Sequence, residues 1–334
     1  MNQPQQQRPI ALSIMSPELR DELWDLHPIV MARAKIATKP TLAAYALIKK
    51  SARRGRRSIA FYSHPLRGKT TCITVLEHLL QRDYPGCGIY EYRASSKDGI
   101  DKPKDGRRVV KAFISKGGFF ESLLHALGED LKLENSVEGK KDQFCRALYA
   151  RSVATQRLFF FIDEAQALVA AELGWLKDVI NYLVGAGIFV TMILFGQDEL
   201  RDQFESLKSN LRSDLLERFL RDIYEFEGIA NEEELSHFLC ACDKVSEYPM
   251  GSGITYTQFL WPQAYADGLR LSDFAHDFWE ALIDSLLLTS QSKGVGMKEV
   301  AEALAEMADL TKDKDAPSFR PDKRLWDSAV RRSK

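Results

Sequence analysis

Two segments of this chain carry residue types that could do chemistry together. The first begins at Ser63, directly after an apolar run at 58–62, and leads into a helical pattern that opens with Gly-Lys-Thr at 68–70. The positive end of a helix attracts phosphate, and glycine lets the backbone approach it closely. We expect Lys69 to contact the β- and γ-phosphates of a nucleotide and the hydroxyl of Thr70 to bind Mg²⁺. The candidate phosphate-binding residues are Ser63, His64, Pro65, Leu66, Arg67, Gly68, Lys69, Thr70 and Thr71.

The second segment supplies two carboxylates. The apolar run at 157–162 leads directly into Asp163 and Glu164, and a buried strand rarely ends in two acids unless they serve a site. Asp163 is placed to hold the metal ion, and Glu164 to orient and polarise an attacking water. Together the two segments predict a site for ATP and Mg²⁺.

The first segment departs from the usual phosphate-loop pattern at one position. The pattern G-x-x-x-x-G-K-[ST] has glycine where this chain has Ser63, and Pro65 and Arg67 make the loop stiffer. Taken alone, Gly-Lys-Thr could also be an ordinary helix start with a lysine in its first turn. We therefore expect slower hydrolysis or an altered nucleotide fit. A scaffold that binds nucleotide without hydrolysing it stays an alternative.

Composition indicates a two-domain protein of the cytoplasm. The chain has 334 residues, enough for an α/β core and a second unit, and a net charge of −1. Its polar start at 1–8 lacks the apolar core of a signal peptide, and the run at 159–162 is too short to cross a bilayer. Its five cysteines show no paired spacing of the kind that makes a zinc site or disulfides. We expect no membrane contact.

Sequence periodicity predicts five strands, at 58–62, 88–92, 157–162, 188–195 and 222–226, with helices between them. This alternation favours an α/β fold, a parallel sheet covered by helices on both faces. Strand signals end near Asn231, which predicts an all-α second domain. The expected domains are a helical, basic N-terminal arm at 1–57, a nucleotide-binding core at 58–228, a helical domain at 229–310 and a flexible C-terminal tail at 311–334.

Basic residues are concentrated in two places. No Asp or Glu occurs between Asp25 and Glu77, whereas Lys and Arg occur throughout this interval. A turn-rich basic stretch at 93–116 is predicted as an insertion in the nucleotide-binding core. Together with the arginines at 53–57 it could contact the phosphates of a nucleic acid, although a basic run can also be a solvated surface loop. Few aromatic residues accompany these cations, which favours the backbone of a duplex over stacked single strands.

Three further motifs connect these predictions to a known family. They are Phe-Ile-Asp-Glu-Ala-Gln at 161–166, Ile-Leu-Phe-Gly-Gln-Asp-Glu-Leu at 193–200 and Leu-Leu-Glu-Arg-Phe at 215–219. With them the chain resembles the AAA+ ATPases of the TnsC and TniB group. These proteins are target-selection regulators of bacterial transposons, including CRISPR-associated transposons. The resemblance covers roughly 58–228 and implies a P-loop AAA+ domain with a parallel five-stranded sheet, followed by a small all-α lid domain.

The resemblance also implies catalytic roles for individual residues besides Glu164. Gln197 corresponds to the polar sensor of the γ-phosphate or water, with a helix-capping glutamine as the alternative. Arg218 corresponds to the arginine finger offered to a neighbouring subunit's nucleotide, and Arg212 and Arg221 are rivals for that role. Arg270 is similar to a sensor arginine of the lid domain. By position, the candidates for contact with DNA are Lys97, Lys102, Lys104, Arg107, Arg108 and Lys111.

The implied partners are duplex DNA and further copies of the same chain, assembled as a ring or a helical oligomer. The resemblance adds a target-selection protein, TniQ-like or similar, and transposase subunits, with ATP hydrolysis driving disassembly. The segment at 311–334 is a candidate docking segment for such a partner. An ATPase motor of the secretion type and a replication-initiation ATPase share parts of the pattern and stay alternatives.

Overall fold

The computed structural model describes residues 17–55, 57–95, 115–128, 132–209, 213–287 and 295–334. Five strands form one sheet in the order β2-β3-β4-β1-β5, and neighbouring strands run parallel. The strands are β1 (Ser58–Tyr62), β2 (Gly88–Arg93), β3 (Arg157–Asp163), β4 (Phe189–Gly196) and β5 (Ile223–Glu225). Each lies within one residue of its predicted bounds, and the predicted parallel sheet is confirmed.

Helices connect the strands and make up the described part of the C-terminal region. Many begin at a capping side chain: Asn231, for example, accepts the N–H of Glu234 at 2.9 Å. The helices are α1 (Pro17–Trp24), α2 (Lys39–Arg53), α3 (Lys69–Asp83), α4 (Lys116–His125), α5 (Val137–Ser152), α6 (Ala170–Gly185), α7 (Glu199–Ser209), α8 (Ser213–Leu215), α9 (Glu232–Lys244), α10 (Tyr256–Leu260), α11 (Pro262–Ala266), α12 (Ala275–Leu287), α13 (Met297–Thr311) and α14 (Lys323–Arg332). The α8 turn continues as a π-helical turn, Leu216–Leu220.

Two compact units make up the described chain. The sheet unit comprises 43–65 and 76–226, and the helical unit comprises 17–42, 66–75 and 227–334, within the described residues. The sheet unit ends at Phe226, and the segment 66–75 groups with the C-terminal helices rather than with the sheet. Within the described ranges, no helix has both the length and the apolar character needed to cross a membrane.

The centre of the sheet unit is the apolar strand β3. Its neighbouring rings Phe159 and Phe160 are both fully buried, and successive side chains of a strand point to opposite faces of the sheet. Phe160 meets Tyr90 and Phe144 at ring distances of 4.7 and 6.3 Å, whereas Phe159 meets Tyr84 at 5.4 Å. Burial on both faces explains why the strand is a continuous apolar run rather than an alternating one.

The helical unit includes both ends of the described chain, which corrects two expectations. Trp24, in the predicted arm, is 1% exposed and donates its indole N–H to Asp309 at 3.3 Å. Trp326, in the predicted flexible tail, is fully buried and stacks on Phe278 at a ring distance of 4.3 Å. Polar residues dominate 311–334, but the apolar positions of α14 share one helical face that packs into the core.

Candidate nucleotide site

The carboxyl ends of parallel strands meet at one edge of a sheet, and this edge of the sheet unit carries the predicted polar residues. β3, β4 and β1 are neighbours there. Asp163 ends β3, Gln197 follows β4 and Ser63 follows β1. The Ser63 N–H donates to the carbonyl of Gly196 at 3.1 Å, so the loop after β1 leaves the sheet beside the end of β4. This edge is the usual position for a ligand in an α/β sheet.

Glu164 is held by two amide side chains. Its Oε2 accepts hydrogen bonds from Nε2 of Gln166 at 2.6 Å and from Nε2 of Gln197 at 3.0 Å. Oε1 of Gln166 accepts the backbone N–H of Gln197 at 3.0 Å, so the three residues form a closed network. Arg93 lies 3.9 Å from the other carboxylate oxygen, and it is too exposed for this ion pair to contribute much. The network fixes the direction of the Glu164 carboxylate.

The backbone at Glu164 is strained in a way that serves this network. Its φ of 54° and ψ of 40° are left-handed, a conformation that costs a side-chain-bearing residue about 1 to 2 kcal/mol. The turn brings Gln166, two residues later, back to the carboxylate. Strain of this size persists only where the surroundings enforce it, and it clusters at functional sites.

Asp163 differs from Glu164 in its surroundings. It is fully buried, its Oδ1 accepts the N–H of Glu164 at 2.9 Å, and its carbonyl accepts the N–H of Ala94 at 2.9 Å. The side chain is thus fixed at the strand end, next to the partly exposed Glu164. A buried oxygen donor beside a second, oriented carboxylate suits a metal ion such as Mg²⁺, which prefers oxygen ligands.

The imidazole of His64 contacts the carboxylate of Asp198 at the same edge. His64 belongs to the loop after β1, and Asp198 follows Gln197 after β4. The pair was not predicted from the sequence, because the two residues are distant in the chain. It connects the start of the phosphate loop to the segment that carries Gln197.

Ser63 fits the backbone of this loop without a left-handed conformation. The left-handed residues of the loop are Leu66 and Gly68, with φ of 64° and 84°, and Ser63 has an ordinary negative φ. It is 2% exposed, and its hydroxyl donates to the carbonyl of His64 at 3.1 Å. Serine at this position therefore causes no backbone strain, and the departure from the usual pattern is compatible with a formed loop.

In the helical unit, the second half of the loop packs on the start of α13. Arg67 is 5% exposed, and its guanidinium donates to the carbonyl of Val295 at 3.2 Å. Burial lowers the pKa of Arg67, while Glu299 and Glu227 oppose the shift. A Cβ at Gly68 would lie 2.8 Å from the side chain of Met297. These contacts explain why 66–75 groups with the C-terminal helices.

The predicted phosphate-binding helix begins as expected. α3 starts at Lys69, and the N–H of Cys72 closes its first turn on the carbonyl of Gly68 at 2.8 Å. Lys69 is 6% exposed, whereas Thr70 is exposed. Burial raises the pKa of the Cys72 thiol to about 12, so this cysteine packs as an apolar side chain beneath the loop.

Arg218 lies at the opposite edge of the sheet. The hydroxyl of Ser58, the first residue of β1, donates to the Arg218 carbonyl, and the guanidinium donates to Asn181 at 2.8 Å. Burial and the nearby Arg57 lower the pKa of Arg218. A cleft of about 320 Å³ surrounds it, lined by Arg57, Ser58, Asp214, Glu217, Arg218, Arg221 and Asp222.

The remaining predicted residues fall into two groups. Arg270, in the helical unit, stacks over the Tyr265 ring at 3.7 Å and donates to the Tyr265 carbonyl at 3.0 Å. The other residues lie outside the described ranges: Lys97, Lys102, Lys104, Arg107, Arg108, Lys111 and Arg212.

Comparison with known proteins gives a family match in the central part of the chain. Residues 52–204 match the family model described as AAA domain. A search of curated proteins gives no significant match. Solved structures with a similar fold include domain III of the replication initiation protein DnaA from Thermotoga maritima, at 12% identity and a TM-score of 0.46, covering 88% of this chain and 92% of that one.

Two further solved structures are similar at the same level. Drosophila ORC bound to DNA is 11% identical with a TM-score of 0.45, covering 99% of this chain and 69% of that one. Cdc6p from Pyrobaculum aerophilum is 12% identical with a TM-score of 0.38, covering 87% and 83%. The segment 52–204, which contains β1 to β4, has the AAA fold that the sequence predicted.

Proposed function

We propose that this chain is an ATP-dependent, DNA-binding regulator of transposition, whose subunits assemble on duplex DNA with ATP and are released by hydrolysis. The observation that carries the hydrolysis is the arrangement around Glu164. A carboxylate oriented by Gln166 and Gln197, next to the buried Asp163, is suited to position and polarise a water for attack on phosphate.

The nucleotide would be held by the loop and the start of α3. Its phosphates would accept hydrogen bonds from the backbone N–H groups near Gly68 and from the ammonium group of Lys69, at the positive end of that helix. The Thr70 hydroxyl and the Asp163 carboxylate are the proposed ligands of Mg²⁺, which prefers oxygen donors. The ion would neutralise charge on the phosphates during the reaction. Gln197 would act as the sensor, because it contacts Glu164 directly.

Arg218 is proposed to act on the nucleotide of a neighbouring subunit. It lies at the amino end of β1, whereas Glu164 follows the carboxyl end of β3. A strand of five residues spans about 17 Å, so the two side chains work at opposite edges of their own sheet. An arginine in trans would make hydrolysis depend on assembly. Arg221 lines the same cleft and is the rival within the described chain.

The transposition role rests on the sequence resemblance to the TnsC and TniB group. That resemblance supports duplex DNA, a transposase and a TniQ-like target-selection protein as partners, in the cytoplasm. Glu164 argues against a scaffold that does not hydrolyse nucleotide, because such a protein needs no oriented carboxylate. The relaxed backbone at Ser63 means that serine at this position does not by itself favour that alternative. A replication-initiation ATPase would differ in its partners rather than in this site.

Sedimentation of the purified protein with duplex DNA tests the proposal. The protein is spun with and without ATP and Mg²⁺ at two salt concentrations. Large particles that require both ATP and DNA, and that weaken as salt rises, are expected because backbone contacts release counterions. Absence of DNA binding in every nucleotide condition would refute the regulator and favour an ATPase motor or a scaffold.

A further inference from the structure

Helix α2 has one buried face and one outward face of opposite character. The buried face carries Ala44 and Ile48, which are 2% and 0% exposed. The outward face carries Ala46, Lys50 and Arg53 at helical spacing, and Arg54 follows directly after the helix. All four outward residues are exposed. Residues three and four apart on a helix are neighbours, so the three cations form one compact patch.

Lys49 belongs to the structure rather than to this patch. It forms an ion pair with Asp83, and the hydroxyl of the neighbouring Tyr45 donates to the carbonyl of Leu79 at 3.1 Å. Burial and Asp83 raise the pKa of Tyr45 to about 12. Asp83 is in turn contacted by Arg82 at 3.1 Å. The carboxylate of Asp83 is thus already balanced by two cations.

The outward cations have no such balance. Among the described residues, no carboxylate lies within ion-pair distance, 4.0 Å, of Lys50, Arg53 or Arg54. The chain itself has no acid between Asp25 and Glu77. A groove of about 490 Å³ lies at this face, lined by Tyr45, Ala46, Lys49, Lys50, Arg53 and Arg54.

We propose that the outward face of α2, with Lys50, Arg53 and Arg54, binds the phosphate backbone of duplex DNA. The inference rests on the proposed DNA binding and gives it a surface within the described chain. The Cβ atoms of neighbouring cations on a helix stand about 5 to 6 Å apart, and each strand of a duplex presents a phosphate every ~3.4 Å along the helix axis. Each cation can therefore reach its own phosphate.

The aromatic side chain at this face does not favour single strands. Tyr45 is 8% exposed and its hydroxyl is already bonded, so its ring cannot serve as a platform for unpaired bases. Contacts of this kind fix position along the backbone and carry little sequence information. The surface predicts strong salt dependence and weak sequence preference.

Two matched pairs of arginines test the proposal. Arg53→Gln/Arg54→Gln removes two charges where α2 ends, and Arg331→Gln/Arg332→Gln removes two exposed charges from the last turn of α14. Affinity for a labelled duplex is measured with ATP and Mg²⁺ across a salt series. Both double variants lose two positive charges near the C-terminus of a helix. A difference in DNA affinity between them therefore reflects the location of the charges on the protein surface.

The α2 pair should lose about 60-fold in affinity at 0.1 M salt, and its slope of log affinity against log salt should be shallower by ~1.8, or ~0.9 for each lost phosphate contact. The α14 pair should stay within about twofold of the wild type, and both should bind ATP normally. Wild-type affinity and slope in the α2 pair would overturn the inference while leaving the proposed function intact.

A wild type that binds no duplex at all would overturn both the inference and the proposed function. Competition separates the remaining sources of negative charge. If polyglutamate or anionic vesicles displaced the wild type from DNA at equal charge concentration, and the α2 pair lost that displacement, the surface would be a general anion site and the inference would be wrong.

Discussion

Removal of the Gln166 amide should slow ATP hydrolysis without weakening ATP binding. Gln166 donates to the Glu164 carboxylate at 2.6 Å and accepts the N–H of Gln197 at 3.0 Å. Leucine has a similar volume and can do neither. A hydrogen bond to a charged group contributes about 1.5 to 3 kcal/mol. If the whole of this stabilisation is lost in the transition state, the rate of turnover falls about 10- to 150-fold.

The assay is steady-state ATP hydrolysis with saturating duplex DNA, together with equilibrium binding of ATP. Gln166→Glu is a second variant, because it keeps an acceptor for Gln197 but cannot donate to Glu164, and it should be at least as slow. Gln143→Leu is the control. Gln143 lies on α5, and its amide also makes two hydrogen bonds. Its Nε2 donates to the carbonyl of Lys132 at 3.0 Å, and its Oε1 accepts the N–H of Glu134 at 3.1 Å. A wild-type rate in folded Gln166→Leu would refute the positioning of Glu164 by this residue.

Two further predictions concern the helical unit. Trp326→Ala should lose about 3 to 5 kcal/mol of unfolding free energy in urea, because the ring is fully buried on Phe278. The control Arg324→Ala, at an exposed position, should change this free energy by less than about 0.5 kcal/mol. A loss below about 1 kcal/mol for Trp326→Ala would contradict the packing of the C-terminal segment. Burial lowers the pKa of His27 in the folded protein to about 3. Between this pKa and the ordinary pKa of histidine, the unfolded chain binds a proton that the folded chain does not, so the free energy of unfolding falls as the pH drops. From pH 7.5 to 5.5 the wild type should lose ~1.4 kcal/mol more than His27→Phe, and equal losses in urea unfolding would contradict a neutral, buried His27.

The sequence was sufficient for the elements whose signals are local. The apolar run of β3 and the two acids behind it predict both a buried central strand and a polar edge, because a run buried on both faces needs no alternation. The helix start at Lys69 was predictable for the same reason, because the residues that indicate it are adjacent in the sequence. The network around Glu164 was only partly accessible. Gln166 reaches the carboxylate because Glu164 is left-handed, and neighbouring residue types do not reveal that conformation.

Contacts between distant segments were not accessible from the sequence. Arg67 reads as a stiffening residue of the loop, but its partner is the carbonyl of Val295, far along the chain. The segment 311–334 reads as polar and flexible, since charged residues outnumber apolar ones there. Its apolar residues, Trp326 among them, nevertheless share one face of α14 and enter the core. The composition of the segment does not indicate an apolar helical face, whereas the spacing of its apolar residues does.

ATP control of assembly is tested most directly with Lys69→Ala and Glu164→Gln beside the wild type. Each protein is mixed with duplex DNA, ATP and Mg²⁺, and the lifetime of the sedimenting particles is followed. Lys69→Ala should fail to assemble, because it loses the cation proposed to hold the phosphates. Glu164→Gln should assemble and persist longer than the wild type, because it loses the hydrolysis proposed to release the subunits. Normal assembly of Lys69→Ala, or release of Glu164→Gln at the wild-type rate, would contradict a nucleotide-controlled switch.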